Sequence, residues 1–505
     1  MESPAALLIN PKMCRPSGVR LPLSVLSLGA ALEGKHPYRI IDGNVDPDAT
    51  ATAIAAIGEG NCKIVGMTVM PGPQVGPAIE MSSAIRAAHP EIAIVWGGYF
   101  PTLYPAAAIN APYVDYVVRG EGEAPFLNLL ERLPSADALS LAEVRGLTWK
   151  DRERVVHNPN SDFQKPTDQM PLPYERVGDV GRYLRPSFMG TRTAVHQASI
   201  GCRYHCTFCG VVSMFNGYTA LSPEERLEQS LLRLRDGYGA NAIQFYDHNF
   251  FDSEQSSLPA LGVLERMQMP WWCYARADTL AKFSAANWER LRKSRFTMAY
   301  IGAEAASDEV LKKMRKGSRV EHTYEVANRC REFGVIPEFS FVLGGPEDPE
   351  GEIERTFEFV RKLKKIHERC EVVLYFYSPT PQRDRAYRRS AEPSAVLPIL
   401  NSYGPEGPEL PSTPEEWTEP KWINFVCHQD APWMSARMRR RVKDFANVLG
   451  CRFPTAQDYS TPAWGKQVLS GLARWRYATR RYGNPWELRM ARKFIPLRVP
   501  QAESL

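Results

Sequence analysis

Along the first third of the chain, short apolar runs alternate with helix-length amphipathic segments. The runs are residues 6–9 (ALLI), 38–42 (YRIID), 64–67 (IVGM), 92–96 (IAIVW) and 116–118 (YVV). Five buried strands separated by helices predict an α/β domain with a doubly wound, flavodoxin-like parallel sheet, assigned to residues 1–140. Such sheets take ligands at the carboxyl ends of their strands. Those ends supply Thr68, Gly97, Gly98, Gly120 and Glu121 as candidate contacts, the glycines because backbone can approach a ligand closely there.

From about residue 134 to 192 the pattern degrades into short alternating stretches and proline-containing loops, which reads as a connector (141–192) with no catalytic role. A second βα series follows, with runs at 196–200 (HQASI), 242–246 (AIQFY), 271–276 (WWCYAR), 296–302 (FTMAYIG), 338–344 (EFSFVLG) and 372–377 (VVLYFY). Six strands with intervening helices predict a partial (β/α)6 barrel of the TIM type over residues 193–385, its functional residues at the strand C-termini. The rhythm then stops. Residues 386–505 read as a third, mostly helical domain, with helices near 433–449 and 466–482.

Composition adds little until it is split. A chain of 505 residues with a net charge of +5 has room for two to four domains and names no partner. Residues 421–505, however, hold sixteen Lys and Arg against five Asp and Glu, a basic tail on a mildly acidic body. Arginines and aromatics interleave at ARWRYATRRYG, a composition that suits an anionic small molecule, a membrane surface or RNA. No run approaches the roughly 18–20 apolar residues of a membrane span. The expected location is cytoplasmic, with peripheral membrane contact as an option.

The ten cysteines divide sharply. Seven are scattered singly and read as small buried hydrophobes. Cys202, Cys206 and Cys209 fall within GCRYHCTFCG, directly after the first strand of the second series. Closely spaced thiolates in a loop can wrap one metal centre. A structural zinc site would need a fourth ligand, for which His205 is the nearest candidate. Three cysteines on a four-iron cluster instead leave one iron open to a substrate.

The three-then-two spacing, with Phe208 before the last cysteine and Gly210 after it, resembles the radical S-adenosylmethionine (SAM) superfamily. The resemblance implies a [4Fe–4S] cluster on Cys202, Cys206 and Cys209, with SAM on the open iron as the source of a 5′-deoxyadenosyl radical, and Phe208 beside them. It extends along later strand ends. FYDHNF (245–250) is similar to the F-x-D-D-N-F segment of cobalamin-binding members, with Asp247 and Asn249 matching and His248 replacing an acid. Tyr246 and His248 are the candidate catalytic contacts to substrate. WWCYARADTL implies that Arg276 meets the methionine carboxylate or makes an ion pair inside the barrel. IGAEAASDEVLKKMRKG places Glu304 at a polar contact to the adenosyl ligand, with Ala305 where serine is usual. FVLGGPED places Gly344 and Gly345 beside the adenine.

A doubly wound domain ahead of this barrel resembles the cobalamin-binding domain of cobalamin-dependent radical SAM enzymes, and GGYFPT and VVRGEGE support the likeness over residues 1–385. The D-x-H-x-x-G motif is missing, so cobalamin would be held without a histidine ligand; Cys14 lies nearby and reads as inert. The resemblance implies a C-methyltransferase acting on an unactivated carbon of a natural-product, lipid or tetrapyrrole intermediate. Its alternative is a radical cyclase or ring-rearranging enzyme of the anaerobic tetrapyrrole cyclase type. Either needs an external electron donor of the flavodoxin or ferredoxin type and a small substrate, hydrophobic or anionic. A zinc-stabilised RNA-binding adaptor is the reading from another class. Nucleic acid is not the expected partner, because the extra cysteines and C-terminal β-barrel of RNA methylthiotransferases are missing.

Overall fold

A computed structural model describes residues 3–166, 170–378, 409–431 and 433–498. The boundary read at residue 385 lies outside them. The chain divides into two compact units, residues 1–184, 199–230 and 379–427 forming one and 185–198, 231–378 and 428–505 the other.

In the first unit the strands are β1 (Ala6–Asn10), β2 (Tyr38–Asp42), β3 (Ile64–Thr68), β4 (Ala93–Gly97), β5 (Tyr116–Val118), β6 (Leu147–Asp151) and β7 (Arg154–His157). They make one sheet in the order β2-β1-β3-β4-β5-β6-β7. The first five are parallel, in the flavodoxin-like order. Alternation along β1 explains why the sheet is covered twice. Leu7 and Ile9 pack with Ala53, Ile57, Ala78 and Met81, while Ala6 and Leu8 pack with Val25, Phe126 and Leu129. Gly66 in β3 leaves room for the Phe126 ring, which a Cβ there would meet at 2.6 Å.

The stretch read as connector behaves differently in part: β6 and β7 extend the first sheet as antiparallel strands. The alternating pattern at 147–157 was a half-exposed edge hairpin, whose outward residues look like loop in sequence. A late segment also belongs to this unit. Trp417 is buried against Tyr104 and Phe100, ring centroids 4.0 and 5.8 Å away.

The run read as strand 196–200 is split. β8 (Thr193–His196) ends at His196, and β9 (Ser199–Gly201) instead pairs antiparallel with β10 (Thr219–Leu221) in the first unit. Between them hangs the cysteine loop, residues 202–209.

The second unit carries β8, β11 (Ala242–Phe245), β12 (Trp271–Arg276), β13 (Phe296–Glu304), β14 (Ile336–Leu343) and β15 (Glu371–Phe376) in an all-parallel sheet. Its order, β15-β14-β13-β12-β11-β8, leaves β8 and β15 as edges, so among the described strands this is an open arc. Its connecting helices start and stop where the sequence says they should. Ser253 caps Glu254–Met267, Asp348 and Pro349 open Pro349–Ile366, and Gly334 at φ 75° closes Val320–Phe333. Three further helices, Ala436–Arg452, Ala463–Ala478 and Trp486–Phe494, surround a small core of Val448, Cys451, Leu469, Ala473 and Leu488.

Candidate active site

The cysteine loop is set by its two ends. Gly201 sits at φ 73°, where any Cβ would overlap the Tyr218 carbonyl, so only glycine lets β9 turn into the loop. At the far end the Cys209 N–H donates to the Cys206 carbonyl at 3.3 Å, and the chain enters the helix Val211–Phe215. Cys206 is buried, Cys202 and Cys209 half-buried, and all ten cysteines are free of disulfides. Among the described residues no three His, Cys, Asp or Glu side chains are gathered closely enough to hold a metal ion. The three sulfurs therefore share one short loop without forming a closed cage. His205 rests its ring on Gly217, and Phe208 is half-buried.

The same unit holds the first sheet's strand ends. Gly98 adopts φ 93° and ψ −160°, a conformation essentially confined to glycine, and a Cβ there would meet Thr68 Oγ1 at 3.0 Å. Thr68 and Gly98 are thus packed together, whereas the nearest atom to a Cβ on Gly97 lies 3.8 Å away. The Gly120 N–H donates to Thr102 Oγ1 at 2.9 Å. Burial pushes the Glu121 carboxyl up to about 7, against the opposing effect of the Gln164 N–H that it accepts. Cys14 donates to Asn44 Oδ1 at 3.3 Å, and burial raises its thiol pKa, so it stays neutral. Sequence reasoning passed over Tyr99, although GGYFPT contains it. Burial drives its phenol pKa well above the ordinary value and the nearby Cys209 adds to the effect, while the helix Tyr99–Leu103 packs on Val211–Phe215. The strand end of β4 and the cysteine loop therefore adjoin.

At the strand ends of the second unit, side chains expected to face a ligand are already engaged. Asp247 accepts the Ala198 N–H on both oxygens at 3.1 Å, anchoring the backbone four residues before Cys202. Arg276 is buried in a bidentate pair with Asp278 (3.0 and 3.2 Å) and donates to the Lys316 carbonyl. Glu304, expected at a ligand contact, pairs with the equally buried Lys316 at 2.7 Å. It sits at φ 61° beside a register shift in β13, a strained position for a non-glycine residue. Gly302 makes the pair possible, since a Cβ there would lie 2.1 Å from Glu304 Oε1. Gly344 is covered by Met434, whose Sδ would lie 2.3 Å from a Cβ; the Gly345 N–H donates to Glu352 at 3.1 Å. Asn249 keeps a buried Oδ1 without a hydrogen-bond partner, and His248 is solvent-exposed.

The sequence also hid an interior layer. Tyr274, Tyr300, Glu338 and Glu371 stand in register across β12 to β15, and Tyr246, Tyr274 and Tyr300 all pack against the cluster of Trp272, Met298 and Ile336. Gln457 donates to both glutamates, at 2.9 and 2.8 Å. Burial, with Glu371 beside it, pushes Glu338 up to about 8.

Comparison with known proteins fits this geometry. Residues 17–130 match the B12 binding domain family and residues 197–360 the radical SAM superfamily. The chain carries a B12-binding domain followed by a radical SAM domain. The two family descriptions name B12 for the first domain and radical SAM chemistry for the second. The radical SAM protein is 26% identical to an uncharacterized methyltransferase of Pyrococcus horikoshii, over 68% of this chain and 73% of that one. It is 22% identical to the anaerobic magnesium-protoporphyrin IX monomethyl ester cyclase of Synechocystis sp., over 68% of each. Its fold is similar to that of the radical SAM methyltransferase TsrM from Kitasatospora setae, solved with cobalamin and a [4Fe–4S] cluster. That similarity has a TM-score of 0.61 at 18% identity, covering 98% of this chain and 100% of that one.

Proposed function

We propose that this radical SAM protein is a cobalamin-dependent methyltransferase acting on an unactivated carbon of a small, apolar or anionic natural-product, lipid or tetrapyrrole intermediate. The observation that carries the reading is the adjacency, inside one unit, of the glycine-rich end of β4 and the cysteine loop through Tyr99 and Cys209. A methyl carrier and a radical source must serve the same carbon, and this adjacency supports that reading.

The donor set fits the cofactors. Three thiols on one loop suit a cluster with an open iron, so Cys202, Cys206 and Cys209 would hold it, with Phe208 alongside. The partnerless Oδ1 of Asn249 is a polar atom awaiting a ligand. At the first sheet, Thr68, Gly97, Gly98, Gly120 and Glu121 would line the cobalamin face. When bound, these cofactors supply hydrogen abstraction and a transferable methyl group. The chain's own contribution is positional. Arg276, Asp278, Glu304 and Lys316 form two buried ion pairs that fix the strand ends. Gly344 and Gly345 would lie beside the adenine of SAM. Tyr246 and His248 remain as contacts to substrate, and the tyrosines of β12 and β13 give the arc an interior with apolar faces and polar edges. Reduction of the cluster calls for an external flavodoxin or ferredoxin in a cytoplasmic setting.

The cyclase relative keeps a second reading alive, ring closure without methyl transfer. Incubating the anaerobically reconstituted protein with SAM, reductant and candidate substrates separates the two. Methylation yields S-adenosylhomocysteine together with 5′-deoxyadenosine, and Cys206→Ala abolishes the deoxyadenosine; 5′-deoxyadenosine alone alongside a cyclised product would replace the methyltransferase reading.

A further inference from the structure

Two neighbouring helices near the C-terminus expose what helices in a folded domain normally hide. On Ala463–Ala478, Gly465, Leu469 and Ala473 face the core, while Trp464, Val468, Leu472 and Trp475 form a solvent-facing stripe at helical spacing. Trp464 and Trp475 are 62% and 55% exposed. On Trp486–Phe494, Leu488 is buried and Trp486, Met490 and Phe494 point outward, Phe494 being 80% exposed. The pair runs antiparallel: Arg476 bridges Glu487 at one end, and Gly465 receives Ile495 at the other. The two stripes therefore lie on adjacent helices and together expose seven large apolar side chains, of the kind that mark an interaction surface when they cluster.

Charge identifies the occupant. Residues 463–498 contain nine Lys and Arg and a single acid, Glu487. Arg489 and Lys493 stand on the exposed face of the second helix beside Trp486 and Met490. Arg489 also lines, with Arg439, Arg440, Lys443 and Arg492, a groove of about 560 Å³ whose one acid is Asp444. Exposed tryptophans in an apolar stripe bordered by cations match the physical profile of an interfacial, surface-lying helix pair.

We propose that these helices dock the protein on an anionic lipid bilayer, the Trp464 to Trp475 and Trp486 to Phe494 stripes entering the interface and the Arg439–Arg492 groove receiving headgroup phosphates. No helix of the described residues is long and apolar enough to cross the membrane, so the attachment is peripheral and salt-sensitive. Docking at a bilayer does not depend on which reaction the enzyme performs.

The test is co-sedimentation of the full chain with phosphatidylcholine vesicles, with and without phosphatidylglycerol, alongside size-exclusion chromatography. The protein should pellet with the anionic vesicles and be released by high salt. The variant Trp464→Ser/Leu472→Ser/Trp475→Ser should bind at least tenfold more weakly with an unchanged thermal midpoint, because these side chains support no core. Lys443→Glu/Lys493→Glu should lose about fivefold for each cation removed. Failure of the native protein to pellet at low salt overturns the proposal. So does retention of binding by the triple variant, or a dimer in solution that the tryptophan substitutions dissociate, which would assign the patch to a second copy of the chain.

Discussion

The two parallel sheets prepare their strand ends in opposite ways. In the first, the ends are mostly glycine and amide: Gly98 at a conformation other residues avoid, Gly120 bonded through its backbone, and two carboxyls raised by burial, Asp42 held by Asn10 and Asn44 and Glu121 pushed up to about 7. In the second they are locked by charge, with Arg276 on Asp278 and Lys316 on Glu304, both pairs buried. A backbone surface can lie flat against a large planar ligand without paying for side-chain desolvation. Buried ion pairs do something else: they hold strained backbone in place, and they tolerate loss of one partner poorly.

The largest effect should come from breaking that second arrangement. Lys316→Met leaves Glu304 as an uncompensated buried charge and should cost about 3–5 kcal/mol in chemical unfolding. The double variant Lys316→Met/Glu304→Gln should recover most of the loss; if it does not, the pair is not what holds the end of β13. A smaller effect is expected at the first sheet. Gly98→Ala introduces a Cβ at a glycine-only conformation against Thr68, which should cost about 1–3 kcal/mol. The same change should lower the cobalamin retained after reconstitution, read from its visible absorbance, whereas Lys316→Met should leave cobalamin largely in place. Smallest is a pH effect in the interior layer. Because Glu338 titrates near 8 when folded and 4.5 otherwise, the folded chain holds the extra proton across that window. Its stabilisation is complete below about 4.5 and is lost as pH rises toward 8, with a limiting slope of about 1.4 kcal/mol per pH unit. Glu338→Gln should flatten the thermal midpoint between pH 5 and 8, and an unchanged slope would place the titration elsewhere.

Sequence legibility followed the same division. Strands buried on both faces, such as β1 to β5 and β12, were readable as apolar runs with nearly correct limits, since both sides of the pleat want the same residues. The hairpin at 147–157 was missed because half of its residues face water, and residues 196–200 looked like one strand because apolar spacing does not report which sheet a residue joins. The three cysteines were visible by spacing alone. Their surroundings were not: Lys316 lies twelve residues from Glu304 and Asp278 sits in an ordinary-looking turn, so only folding shows that the expected ligand contacts Glu304 and Arg276 already have partners. Nor does the sequence show Met434, ninety residues later, resting on Gly344.

Trp417 carries a consequence for how the chain is made. The aromatic face built by Phe100 and Tyr104 is covered by a residue synthesised more than three hundred positions later. The first sheet can form and be covered by its own helices as soon as they leave the ribosome, but the Phe100 and Tyr104 rings stay uncapped until most of the second unit has also emerged. Completion of the N-terminal module is thus a late event in the birth of this protein.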